Sequence, residues 1–113
     1  MSIEEILYNY LKDKFHPIPI YTEMPNKLPK MFYICYKTGT NNENRITNGT
    51  FTFQSYGESL IETIHMNEKL KNVMENMKYE LEEIGSVELN SDYNFTDVQR
   101  KRERYQAVYQ IYY

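Results

Sequence analysis

A run of cationic side chains near the end of the chain is the strongest local charge feature. Four cations and one glutamate give +3 over five residues. The cations are Arg100, Lys101, Arg102 and Arg104. Tyr93 and Phe95 precede them, and cations beside aromatic rings suit nucleic acid, because cations contact phosphates and rings stack on bases. One interpretation of the run is therefore a phosphate-binding loop.

The same run could instead pair with an acidic surface of another copy. Residues 58–83, which form the predicted long helix, hold seven Glu against three Lys, a difference of −4. A basic loop and an acidic helix on one small protein favour head-to-tail association, which closes into rings. A solvated loop before an edge strand is the third interpretation. The sequence alone leaves all three open.

Catalytic chemistry has weak support in the residue pattern. Cys35 is the single cysteine, and a nucleophilic thiol needs a nearby base. The histidines, His16 and His65, lie in no recognisable partner motif, and Cys35 lies in the most apolar segment. Metal-ligand spacings and a glycine-rich phosphate loop are absent from the sequence. We therefore expect no enzyme activity, no metal and no cofactor.

Composition sets the broad class of the protein. At 113 residues the chain is expected to form a single domain, residues 1–113. The net charge of −3 argues against a general polyanion binder, and one cysteine permits no internal disulfide. With neither an apolar signal core nor a run of membrane-spanning length, we expect no membrane association. The 12 tyrosines suit protein interfaces, although AT-rich codon usage explains them equally well.

Periodicity places the elements that must position these residues. Ser2 and Glu5 form a capping box for a first helix that ends near Lys14. Residues 18–21 are a short edge strand, because Pro17 and Pro19 cannot donate to a ladder. Residues 31–36 are apolar on both faces, which is typical of an interior strand. In residues 50–56 the phenylalanines face the core, and the threonines and Gln54 face outward.

A long amphipathic helix then begins near Glu58, capped by Ser55 or Gly57, with an apolar stripe that reaches Gly85. Residues 86–91 form a strand with Val87 and Leu89 inward, and residues 105–112 form the last strand. Two polar segments, residues 39–49 and 92–103, are predicted as exposed loops. The predicted fold is α+β: a four- to five-stranded, mostly antiparallel sheet with two helices on one face, in the order α-β-β-β-α-β-β.

The order and spacing of short motifs along nearly the whole chain resemble the tail terminator, or tail completion, proteins of long-tailed bacteriophages and prophages. An amphipathic helix leads into residues 19–25, and Pro29 precedes the strand in residues 31–39. Gln54-Ser55-Tyr56 and Glu58-Ser59 then introduce the long helix. A late Ser91-Asp92-Tyr93-Asn94 segment precedes the closing strand in residues 104–111.

The resemblance implies a structural virion protein of the tail and neck, which is assembled in the host cytoplasm. Such a subunit forms a ring, expected to be a hexamer, that caps the tail tube and joins it to the head connector. Its partners are other copies of itself, the major tail tube protein and the head–tail connector proteins. DNA passes through the ring without sequence-specific binding. Alternatives are another neck, head-completion or minor capsid protein, or a small nucleic-acid-binding module.

From the residues themselves, we expect one or both predicted loops to reach another subunit or a tail protein. The candidate interface residues in these loops and at the start of the last strand are Arg45, Tyr93, Phe95, Arg100, Lys101, Arg102 and Arg104.

Overall fold

Five strands form one sheet, and both helices cover the same face of it. A computed structural model describes residues 2–43 and 46–113. Its elements are α1 (Ile3–Phe15), β1 (Ile20–Tyr21), β2 (Phe32–Glu43), β3 (Ile46–Gly57), α2 (Leu60–Glu80), β4 (Ser86–Asn94) and β5 (Glu103–Tyr112). This element order and the mostly antiparallel sheet confirm the predicted α+β class.

The strand order across the sheet is β1-β2-β3-β5-β4. β1 is parallel to β2, and the remaining neighbours are antiparallel. β1 therefore lies at an edge, as its flanking prolines predict, and the apolar β2 lies inside it. The second edge is β4.

The core lies between the sheet and the helices. Leu7 and Leu11 of α1 are fully buried, as are Leu70 and Met74 of α2. These residues pack on alternate residues of β2, β3 and β5, because side chains in a strand point to opposite faces in turn. Burial of this apolar surface supplies the main driving force for folding.

Capping residues fix where the helices begin. The hydroxyl of Ser2 accepts a hydrogen bond from the Glu5 amide at 3.2 Å, which confirms the predicted capping box. The long helix begins at Leu60, close to the predicted start near Glu58, but its predicted cap was wrong, because Ser59, not Ser55 or Gly57, accepts from the Glu62 amide at 3.2 Å. Ser55 is buried within β3, and Gly57 is its last residue.

The long helix ends at Glu80, earlier than predicted. Leu81 leaves the helix in an extended conformation, with φ −116° and ψ 110°. Leu81 and Ile84 nevertheless pack on the core, so the apolar pattern continues after the helical backbone has ended. Among the described residues, neither helix combines the length and apolarity needed to cross a membrane.

The prediction of an exposed loop over residues 39–49 was wrong. β2 continues to Glu43 and β3 begins at Ile46, so most of this segment extends the hairpin. Gly49 pairs with Thr40 on one side and with Ile111 on the other. Backbone groups pair between strands whether the side chains are polar or apolar, so a polar segment can extend a hairpin. Hydrophobic periodicity indicates only which side chains are buried, and it therefore missed this pairing. Arg45, the candidate from this segment, lies outside the described residues.

The second predicted loop, residues 92–103, is also largely a hairpin. β4 continues to Asn94, β5 begins at Glu103, and Asp97 forms an isolated bridge with Arg102. Leu89 pairs with Tyr109 and so faces the helices, as predicted, but 47% of its surface stays exposed. Its strand is the sheet edge, where α2 gives less cover than it gives to β3 and β5.

Candidate interaction surfaces

Arg104 lies on the sheet face that the helices leave uncovered. Its Nη1 donates to the Tyr56 hydroxyl at 2.8 Å, and its Nε donates to the Phe95 carbonyl at 2.5 Å. The guanidinium carbon lies 4.1 Å from the centre of the Phe95 ring, close enough for a cation–π contact. The side chain is only 14% exposed, and its contacts with Phe95 and Tyr56 link the β4–β5 hairpin to β3.

Asp97 is the buried anion that balances this charge, with 4% of its surface exposed. Its carboxylate accepts from the Tyr56 hydroxyl at 3.2 Å and from the Arg100 amide and Nη1 at 3.2 and 3.1 Å. Arg104 Nη1 lies 3.7 Å away. Burial alone would raise the pKa of Asp97, but the Arg100 hydrogen bonds and the two arginine charges outweigh it and hold the pKa below its usual value.

Arg102 ties the hairpin to the connector between β1 and β2. Its Nη2 donates to the Pro29 carbonyl at 3.0 Å and to the Lys30 carbonyl, and its Nε donates to the Gly57 carbonyl at 3.4 Å. The guanidinium lies 5.6 Å from the centre of the Phe32 ring. Arg102, like Arg104, therefore makes intramolecular contacts that a sequence-based interface prediction did not foresee.

Arg100 and Lys101 are the exposed cations of the run. Lys101 adopts a positive φ of 54° at the hairpin tip, where Val98 has 81% of its surface exposed. Tyr93 and Phe95 are 41% and 45% exposed, and their ring centres lie 5.9 Å apart. The structure thus brings the six candidates from Tyr93 to Arg104 into one hairpin. Arg102 and Arg104 are partly buried, and the other four are exposed.

Sequence reasoning missed Asp97 and Tyr56. The signal for Asp97 was its spacing from Arg100, since an aspartate can accept from the backbone amide three residues on and so close a turn. Tyr56 is fully buried and stacks on Phe32 at 4.5 Å. Its role depends on the pairing of β3 with β5, which no local pattern reports.

On the sheet face without helices, amide and hydroxyl side chains form hydrogen bonds with one another near the centre. Gln54 donates to Gln106 at 2.8 Å, and Thr50 donates to Gln110 at 2.8 Å. Thr52 and Gln54 point away from the helices, as predicted, but are only 4% and 8% exposed. The neighbouring strands of this face enclose them, so outward orientation did not imply exposure.

The sheet has two unlike edges. β1 covers β2 only at Tyr33 and Ile34, and in the described part of the chain β2 has no outer strand neighbour beyond Ile34. The Tyr33 amide donates to Pro19 of that outer segment at 3.0 Å. The backbone N–H and C=O groups of alternate residues in a strand point to the same side. The backbone groups of Cys35 and Lys37 therefore point to the same side of β2 as those of Tyr33, and beyond Ile34 this side is open. At the opposite edge, β4 pairs with β5 alone within residues 2–43 and 46–113.

The structure gives the Cys35 thiol an apolar setting. Burial raises the pKa of Cys35 to about 12, so the reactive thiolate is scarce at neutral pH. A cavity of about 290 Å³ lies beside it, lined in part by Tyr8, Tyr36 and Phe51. His16 and His65 are exposed. Over the described ranges, no three His, Cys, Asp or Glu side chains converge as metal ligands.

A scan against protein-family models finds no match for the chain, and a search of curated proteins finds none either.

Proposed function

We propose that this chain is a structural subunit of a phage or prophage tail, similar to a tail terminator. Copies associate head to tail in a ring that caps the tail tube and joins it to the head connector. The role is structural and assigns no reaction and no cofactor to the chain. The proposed location is the tail and neck of the virion, after assembly in the host cytoplasm.

The observation that carries the proposal is the pair of unlike open edges on one sheet. A ring of identical subunits needs a heterologous interface, in which one surface of a subunit meets a different surface of the next. The open part of β2 and the outer side of β4 are two such surfaces on opposite sides of the molecule. The motif order that resembles tail terminators supplies the second support.

The proposed passage of DNA needs no sequence-specific contact. With a net charge of −3, the subunit has little general attraction for phosphate, and a ring that attracted DNA strongly would retard it. The alternative of a nucleic-acid module depends on the basic run. Arg102 and Arg104 bind carbonyl and hydroxyl groups of their own chain, which weakens that alternative. Arg100 and Lys101 remain the candidates from the run for contact with a partner.

Deletion of the gene in the phage or prophage that encodes this chain tests the proposal. We expect tail tubes of uncontrolled length that are not joined to heads, visible by electron microscopy, and restoration by the gene supplied in trans. Tails of normal length on empty or unfilled heads would instead favour a head-completion protein. Normal tails joined to filled heads would refute a role in the neck.

A further inference from the structure

We infer that copies of this chain join edge to edge, so that β4 of one copy pairs with the open part of β2 in the next. The partner is a second copy of the same chain. The inference deepens the proposed function and rests on it only for the statement that the joined copies close into a ring. Strand direction and edge length support the pairing itself.

Strand direction makes this pairing antiparallel. β2 and β5 run one way across the sheet, and β3 and β4 run the other way, because each pair of neighbours from β2 to β4 is antiparallel. If a second copy is placed beside the first in the same orientation, its β2 runs opposite to the β4 that it meets. Antiparallel pairs are the commoner and slightly more stable kind, and no strand has to be reversed.

The two edges also match in length. β4 spans nine residues, and the stretch of β2 beyond β1, residues 35–43, spans the same number. Each stretch carries one register shift against its inner neighbour, between Lys37 and Gly39 in β2 and between Leu89 and Ser91 in β4. A bulge bends a strand and increases its twist, so both edges depart from a straight ladder near their middle.

The open part of β2 contains a neutral stretch on which another strand can pair. Lysine, proline, β-bulges and short length protect exposed edges in natural proteins, and here Lys37 and one bulge precede that stretch. Residues 38–42 read Thr-Gly-Thr-Asn-Asn, a neutral segment without proline. By contrast, β1 is only two residues long and follows Pro17 and Pro19, so the protected part of this edge ends where the open part begins.

The charged side chains nearest the proposed junction do not oppose it. Lys37 pairs with Phe51 and Asp92 pairs with Ala107, and both of these partners face the helices. Lys37 and Asp92 therefore lie on the helix-covered side of their own edge strands. Within the chain Lys37 pairs with Glu4 at 3.3 Å and Asp92 pairs with Lys71 at 2.6 Å, so both charges enter an edge-to-edge junction already paired.

Two single substitutions test the junction from its two sides. Thr40 lies on the open part of β2 and Asn90 on β4, and both side chains are exposed. A lysine at an edge opposes pairing because the junction would desolvate its charge. Thr40→Lys and Asn90→Lys are therefore expected to shift the mass in solution from the wild-type oligomer to the 13.7 kDa monomer. Asn76→Lys adds the same charge at an exposed position of α2 that lies beside α1 rather than beside either sheet edge, and it should keep the wild-type mass.

Mixing the two edge variants tests whether the junction is head to tail. Thr40→Lys keeps its β4 edge and Asn90→Lys keeps its β2 edge, so an equimolar mixture at high concentration should form a dimer that neither variant forms alone. Light scattering gives the masses, and far-UV circular dichroism with urea unfolding confirms that each variant is folded. Should one variant fail to fold, the other still tests its own edge.

The outcomes separate the junction from the proposed function. An edge variant that is folded and keeps the wild-type mass overturns the edge-to-edge inference, while the ring of the proposed function stands on another interface. A mixture that stays monomeric overturns the head-to-tail pairing of these edges. A wild-type chain that is monomeric at every concentration overturns both the junction and self-assembly into a ring.

Discussion

Asp97→Asn is the substitution that most sharply tests whether the basic run is part of the folded core. The change keeps the shape of the side chain and removes its charge. The single oxygen of the amide can replace only one of the two carboxylate oxygens, so the variant keeps either the bond from the Arg100 amide, made to Oδ1, or the bond from the Tyr56 hydroxyl, made to Oδ2. It loses the charge attraction to Arg100 Nη1 at 3.1 Å and to Arg104 Nη1 at 3.7 Å.

The expected loss of stability follows from the exposure of each partner. The Arg100 side chain is 42% exposed, so its ion pair contributes at most about 1 kcal/mol. Arg104 Nη1 lies 3.7 Å from the carboxylate, beyond hydrogen-bond distance, so the larger loss is the one hydrogen bond that the amide cannot keep, and a hydrogen bond to a charged group contributes about 1.5–3 kcal/mol. We expect Asp97→Asn to lower the free energy of unfolding by about 2–3 kcal/mol, a drop in Tm of roughly 10 °C or more for a domain of this size.

Urea unfolding at pH 7 measures this loss, with Asp13→Asn as the matched control. Asp13 is an exposed carboxylate on α1, so its amide variant should stay within about 0.5 kcal/mol of wild type. The reasoning would be refuted by an Asp97→Asn variant as stable as the control.

The pH dependence supplies an independent check on the same carboxylate. The folded-state pKa of Asp97 lies below its usual value, so the ionised form favours the folded protein. This contribution is complete above the unfolded pKa of about 3.9 and is lost as pH falls through the folded pKa. The stability gap between wild type and Asp97→Asn should therefore be constant from neutral pH down to about pH 4 and narrow only below it. A gap that is unchanged in strong acid would contradict the assignment.

Three further predictions follow from local contacts. Arg102→Ala should lower the free energy of unfolding by about 2 kcal/mol, because it leaves backbone carbonyls unpaired, whereas Lys101→Ala should change it by less than about 0.5 kcal/mol in the same urea titration. Ser59→Ala should cost about 1 kcal/mol by removing the cap on the Glu62 amide, as measured by thermal unfolding, and Ser59→Asp should retain most of that stability. The Cys35 thiol should react with a disulfide reagent far more slowly in the folded protein at pH 8 than in urea, because burial raises its pKa to about 12; equal rates would contradict its burial.

Sequence pattern predicted those parts of the fold where burial alternates. Buried apolar residues recur every two residues in a strand and every three to four in a helix, so their spacing indicates the element. Examples are Phe51 and Phe53 in β3 and Met66 and Leu70 in α2. The capping box at Ser2 was equally predictable, because both of its hydrogen bonds join residues within four positions of each other in the sequence.

Pairing between polar strands was not predictable in the same way. Asn48 and Gly49 carry no hydrophobic signal, yet Asn48 pairs with Tyr112, which lies far along the chain. The contacts of Arg102 and Arg104 within the chain were not predictable for a related reason. The partners of Arg102 include the carbonyl of Pro29, and those of Arg104 include the hydroxyl of Tyr56, and only the tertiary fold brings these groups together. The interface role of the basic run stays a prediction.

The mass of the wild-type chain in solution tests the central claim most directly. Size-exclusion chromatography coupled to light scattering, over a range of protein and salt concentrations, gives it without a partner protein. We predict a closed oligomer, expected to be a hexamer, whose mass reaches a plateau as concentration rises, because a ring leaves no edge open. A mass that stays at 13.7 kDa under every condition would contradict self-assembly through the sheet edges.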